Sequence, residues 1–252
     1  MVLTPLSLIV TDLDHTLVGN DRALDRLNQI LDGYRQTWGT KLVYATGRSR
    51  ESYQRLTTTQ SLLPPDALIA AVGTEIYLDG SDAPDPEWVD KLNLNWHREQ
   101  ITAIASRFAD LDPQPQSEQR PFKVSYYLSA SVAAAVVIQI QELLAQQGLD
   151  AEVIYSGSKD LDILPRGGDK GRAVQLLRQR WQIDPVQTVV CGDSGNDISL
   201  FQSGTERGII VGNAQSELRL WHQLHPVNYH YLAVADCAAG ILEGLTYFRF
   251  VE

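Results

Sequence analysis

Hydrophobic and polar positions follow two rhythms along this chain. Short apolar runs, rich in β-branched residues, recur at LIVT (8–11), LVYATG (42–47), ALIAAVG (67–73), TVVCG (188–192) and GIIVGN (208–213). Runs of this length and composition read as strands buried on both faces of a parallel sheet. Between them the period becomes helical. Leu24, Leu27, Ile30, Leu31 and Tyr34 fall on one face of a stretch that Asn20 or Asp21 can cap. Ser49 can cap a helix running to about Gln60, and Asp169 opens another over 169–181. A short helix over 196–203 and longer ones over 214–224 and 236–250 complete the set. Alternation of strand and helix argues for a doubly wound sheet.

From about Asp79 the rhythm breaks. GSDAPDPEW is turn-rich, 88–110 reads as a helix with a break, and DPQPQSEQRP is a polar connection. FKVSYYL alternates as a half-buried strand, 131–148 is a clear helix, and EVIYS and DLDILP form a hairpin across a short loop. The expected fold is therefore α/β: a Rossmann-like parallel-sheet core built from 1–80 and 166–252, with a smaller α+β domain inserted over 81–165.

Composition narrows the picture. The chain has 252 residues, 44% hydrophobic and 21% charged, which suits a soluble globular protein of one large domain, or a core domain with an insertion. No apolar run approaches the roughly 18 residues that cross a membrane. The start MVLTPLSLIV lacks the basic region and small-residue cleavage site of a signal peptide. A cytoplasmic location is expected, with Cys191 and Cys237 as free thiols. The net charge of −10 and the lack of a Lys/Arg run argue against nucleic acid as a partner. An acidic chain that binds an anion must gather positive charge locally or use a metal cation.

Chemistry gathers at the expected strand ends. Asp12 and Asp14 follow the first run, one residue apart. Such a pair can share a cation, or simply cap the next helix. Thr46-Gly47-Arg48 ends the second run, Lys170 starts the helix after the insertion, and Gly192-Asp193-Ser194-Gly195-Asn196-Asp197 ends the fourth. In a parallel sheet these ends converge on one crevice. Carboxylates without a His/Cys cluster suit Mg²⁺. Thr46, Gly47 and Lys170 can bind phosphate oxygens through a hydroxyl, a backbone N–H and a positive charge. Taken singly, each feature also has an ordinary reading as a turn, a solvated lysine or a cap.

In that order, DLDHT, Thr46, Lys170 and GDSGND resemble the haloacid dehalogenase (HAD) superfamily of phosphohydrolases, in the branch with a type IIB α/β cap. YATGRS, AVGTEIY, FKVSYY, SGSKDLDILP, DKG and VCGDSGND are similar to the sucrose-phosphate phosphatase family within it. His15 departs from the glycine or asparagine expected there, and an outward structural role is expected for it. The resemblance implies Asp12 as nucleophile, Asp14 as general acid and base, and Mg²⁺ on the Asp12 carboxylate, the Asp14 carbonyl and Asp193. Asp197 and Asn196 would support that shell, and Thr46, Gly47, Lys170 and Asn196 would hold the phosphoryl group. Sugar recognition is expected from Arg48, Glu75, Lys123, Lys159, Asp160 and Asp162. The substrate implied is sucrose 6-phosphate, with another sugar phosphate or a phosphomutase reaction as alternatives. A monomer is expected, with sucrose-phosphate synthase as a candidate partner.

Overall fold

Leu8, Ile9, Val10 and Thr11 are all buried, because the strand they form lies at the centre of the larger of two sheets. The computed structural model describes residues 6–251. In chain order its first half contains β1 (Leu8–Thr11), α1 (Asp21–Trp38), β2 (Lys41–Ala45), α2 (Arg50–Thr57), β3 (Ala67–Ala70), β4 (Glu75–Leu78), α3 (Pro86–Asn93), α4 (Arg98–Ala105), β5 (Asp112–Pro113), β6 (Val124–Tyr127) and α5 (Ala130–Gln146). The second half contains β7 (Ala151–Ser156), β8 (Asp160–Pro165), α6 (Lys170–Arg180), β9 (Thr188–Gly192), α7 (Ile198–Gln202), β10 (Arg207–Ile210), α8 (Ser216–Leu224), β11 (His230–Leu232) and α9 (Cys237–Tyr247).

The seven-stranded sheet runs β11-β10-β9-β1-β2-β3-β4. Every pair is parallel except β3 with β4. Strand order reverses at β1, with β2 on one side and β9 on the other, so a crevice opens where these strands end. Alternation along β1 sends Ile9 into an interior shared with Leu24, Leu27 and Leu31 of α1 and Ile241 and Leu245 of α9. Leu8 and Val10 enter the opposite interior with Ala173, Val174 and Leu177 of α6. Local chemistry sets the helix ends. The Asn20 side chain accepts from Ala23 N, and Gly39 closes α1 in the left-handed region with φ 68°. The Ser49 and Asp169 side chains cap α2 and α6.

The smaller sheet is antiparallel in the order β5-β6-β8-β7. Val124, Tyr126, Leu161 and Ile163 pack on one face with Ile101 and Ile104 of α4 and Val136 and Ile140 of α5. The alternate positions Ser125, Tyr127, Asp160 and Asp162 therefore share the opposite, polar face.

The structure corrects several expectations. The stretch 88–110 is two helices, as its break suggests, and α3 packs into the core beneath the large sheet. Trp88 is fully buried with Leu8, Val10 and Val43 beneath the large sheet, and its indole N–H donates to the Gly73 carbonyl at 2.9 Å. A boundary at residue 81 thus leaves on the insertion side a helix that packs with the core. The short edge strands β5 and β11 have no hydrophobic run to announce them, and α2 stops at Thr57, short of Gln60.

Candidate active site

Asp12 leaves the end of β1 and is 5% exposed. Lys170, the first residue of α6, is fully buried and reaches Asp12 Oδ1 at 2.8 Å, Asn196 Oδ1 at 2.7 Å and Asp197 Oδ1 at 2.7 Å. Asp197 Oδ2 accepts from the backbone N–H groups of Asp193 and Ser194, each at 3.0 Å, so both of its oxygens are engaged within the protein. This packing demands glycine at 192, where a Cβ would lie 2.5 Å from the Asp197 Cβ. Thr16 donates to Asp193 Oδ1 at 2.8 Å.

The electrostatics of this group are one-sided. Burial raises Asp12 to about 7 against the pull of Lys170, with Asp197 and Asp14 adding to the rise. Burial, then the charges of Asp197 and Asp12, raise Asp193 to about 8. Lys170 loses by its own burial, but Asp12 and Asp197 outweigh that and hold it above its ordinary value. Ligand atoms of Asp12, Asp193 and Asp197 all lie within 4.8 Å of one another. Among the described residues Asp193 has no salt bridge and takes only the Thr16 hydroxyl on Oδ1, so Oδ2 is available to a cation. An all-oxygen, anion-rich donor set of this kind fits a hard divalent ion.

Asp14 lies at the rim. Arg48 grips it with two parallel bonds, Nε to Oδ2 and Nη2 to Oδ1, both 2.7 Å. That grip raises the Arg48 guanidinium above its ordinary value. Thr46 is buried, and its Oγ1 accepts from Arg48 N at 3.1 Å. Gly47 lies beside the Asn196 amide, where a Cβ would be in ordinary van der Waals contact with it at 3.5 Å.

These residues floor a cleft of about 710 Å³ whose walls include Asp12, Asp14, Gly47, Arg48, Asp193 and Asn196 below and Lys123, Lys159, Asp160 and Asp162 from the smaller sheet above. Thr46, Lys170 and Asp197 lie buried just behind these walls. Two expectations change. Glu75 does not line the cleft; its carboxylate is taken by Arg120 and by the Tyr77 hydroxyl. Lys123 is 2% exposed, and its Nζ is paired with Asp162 at 3.2 Å. His15 is exposed on the cleft rim with φ 60°, and its carbonyl accepts from Asn213 Nδ2 at 2.7 Å. Sequence reasoning missed Ser52, Gln114, Glu118, Tyr127, Ser156 and Gln215 on the cleft wall. For Tyr127 a signal existed, since strand alternation puts it on the same face as Ser125. Ser156 had one too, since it ends β7 directly opposite Asp160; the other four sit on helix or loop positions that carry no periodic mark.

A carboxylate pair at the end of the central parallel strand, a buried lysine behind it and an inserted polar roof are set on the fold of the haloacid dehalogenase class. Within that class the chain belongs to the sucrose-6F-phosphate phosphohydrolase family, whose model matches residues 5–249. It is 40% identical over 257 residues to a probable sucrose-phosphatase 2 of Arabidopsis thaliana, covering 97% of this chain and 60% of that protein. The chain thus spans about 60% of the length of the plant relatives it matches. A mannosylfructose-phosphate phosphatase of Agrobacterium fabrum is 34% identical, with 96% of both chains covered. Among solved structures, the sucrose-phosphatase of Synechocystis sp. PCC6803 in complex with sucrose and phosphate superposes with a TM-score of 0.92. It is 41% identical, and the match covers 99% of this chain and 100% of that one.

Proposed function

We propose that this chain hydrolyses sucrose 6-phosphate to sucrose and phosphate through a phosphorylated Asp12. The observation that carries the reading is the likeness, over nearly the whole of both chains, to a sucrose-phosphatase that holds sucrose and phosphate. Asp12 attacks phosphorus from the floor of the cleft, and the bond to the sugar oxygen breaks. Asp14 gives a proton to that oxygen and later takes one from the water that cleaves the aspartyl-phosphate. To reach the leaving oxygen, Asp14 must be released by at least one arm of Arg48. Lys170 neutralises charge on Asp12 and the transferring group, while Thr46, Gly47 and Asn196 offer donors to its oxygens. Mg²⁺ is the ion the donor set suits; held by Asp12, Asp193 and the Asp14 carbonyl, it would offset the charge of the phosphate dianion. Lys159, Asp160, Asp162, Glu118 and Gln114 are among the polar groups on the cleft wall that would read sugar hydroxyls. A cytoplasmic monomer supplied by sucrose-phosphate synthase completes the reading, and the two free, buried cysteines suit a reducing compartment.

The likeness to the Agrobacterium enzyme favours a second reading, a phosphorylated mannosylfructose as substrate on the same machinery. A panel of sugar phosphates, assayed for phosphate release with Mg²⁺, with chelator and with Asp12→Asn as control, decides between them. Preference for sucrose 6-phosphate, lost with chelator and in the variant, is the expected result. Preference for the mannosyl compound would replace the substrate and keep the chemistry. Transfer between sugar positions without free phosphate would make the chain a mutase.

A further inference from the structure

Glu75 opens β4 with a side chain only 6% exposed, and among the described residues its one ion pair comes from the inserted unit. Arg120 Nε donates to Glu75 Oε1 at 2.6 Å and Nη2 to Oε2 at 3.3 Å, while the Tyr77 hydroxyl donates to Oε2 at 2.8 Å. Arg120 Nη1 also reaches Glu51 on α2 at 3.2 Å. A solvent-exposed pair of this kind contributes little. A carboxylate this deeply covered is different, because removing its counter-ion leaves a charge without compensation.

Both ends of the pair are tied to the cleft. On the insert side, Arg120 N donates to the Lys123 carbonyl at 3.0 Å and Lys123 N donates back at 3.2 Å, closing a tight turn. Gln119 Nε2 bonds the Ser125 and Gln114 carbonyls at 2.7 and 3.1 Å, which fixes that turn to β6. Fixing Arg120 therefore fixes Glu118, Lys123 and Gln114, all on the cleft wall. On the core side, Glu75 follows the turn Ala71–Gly73. Gly73, with φ +111°, packs so closely on the start of α6 that a Cβ there would meet the Lys170 backbone nitrogen at 2.3 Å. One ion pair thus joins the segment that bears the roof to the segment that braces the buried lysine.

We infer that Arg120 is a positioning residue, whose pairing with Glu75 holds the cap's cleft-lining groups in register with the catalytic carboxylates. The inference rests on the sugar-phosphate reading above. It makes a distinction among substrates: a sugar phosphate depends on the roof, and a small aryl phosphate such as p-nitrophenyl phosphate does not.

The test compares Arg120→Met, Glu75→Gln, the double variant and Arg120→Lys on sucrose 6-phosphate and p-nitrophenyl phosphate. The single variants are expected to lose about tenfold in kcat/KM for the sugar phosphate, mainly through KM, with aryl phosphate turnover within about twofold of the parent. The double variant should lose no more than the worse single, and Arg120→Lys should recover part of the loss. Equal losses on both substrates would mark a merely structural pair, and sugar-phosphate kinetics that do not change, or fully additive losses, overturn the inference. Nitroxide labels on Thr58→Cys and Gln141→Cys give a readout independent of turnover. Their distance distribution should broaden in Arg120→Met without ligand. If the parent releases phosphate from no sugar phosphate, the functional reading fails, and an unchanged distribution would separately overturn the tie.

Discussion

Lys170 and Asp197 are the two fully buried, threefold-bonded charges at the site, and Lys170 is the cation of the pair. It has no exposure and three acceptors, two of them carboxylates, so its charge is the counterweight to Asp12 and Asp197. Lys170→Met should remove phosphatase activity by at least about 10²-fold, the scale of losing one preorganised donor to the reacting group. Stranding two buried carboxylates should also cost about 3–5 kcal/mol in urea unfolding, measured without metal. The pH dependence has a definite sign. Asp12 and Asp193 sit at about 7 and about 8, above the ordinary carboxylate value, because burial disfavours their charged forms. The folded chain therefore holds protons that the unfolded chain has already released. Stability without metal should fall as pH rises through that range, since the contribution is fully present only below the unfolded carboxylate value. A divalent ion must displace those protons to bind. Its affinity, and the thermal shift it produces, should both rise between about pH 6 and pH 9. A Mg²⁺-induced shift independent of pH would contradict the assignment of these two carboxylates to the ion.

At the scale of elements, α3 separates what the chain can announce from what only packing decides. Its helical character is local, carried by the Asp85 cap, Pro86 at the first position and Trp88 and Leu92 one turn apart. Its allegiance is not local, because nothing in 81–93 says which sheet it will cover. Trp88→Ala should therefore destabilise the core by about 3–5 kcal/mol, read by thermal or denaturant unfolding, while the smaller sheet keeps its own packing. The strand-end residues were legible for the opposite reason. A parallel strand buried on both faces must be a continuous apolar run, so its end is marked in the sequence and Asp12, Thr46 and Asp193 are found by it. Glu75 shows the limit: a charge at the start of an edge strand looks available to ligand, and only Arg120, 45 positions away, reveals its partner. Gln114, Glu118 and Gln215 reach the cleft from turns and loops, where no period constrains direction.

Taken whole, the molecule puts a roof of mixed charge over an acidic floor. Lys159 is the exposed cation on that roof, in the hairpin between β7 and β8. Lys159→Ala should raise KM for sucrose 6-phosphate about tenfold, the loss expected when one recognition contact goes, and leave p-nitrophenyl phosphate kinetics unchanged. Equal KM values in parent and variant would remove Lys159 from sugar recognition. The central position of β1 carries a consequence for how the chain comes together. Leu8 pairs with Lys41 on one side and with Thr188 on the other. During synthesis the first side closes early, but the second edge of β1 stays open until the β9 segment emerges, with the whole inserted unit made in between. An open apolar edge held that long invites pairing with the wrong strand. Asp12 and Asp193 arrive on the two halves of that seam, so closing the sheet and bringing these two carboxylates together are one late event.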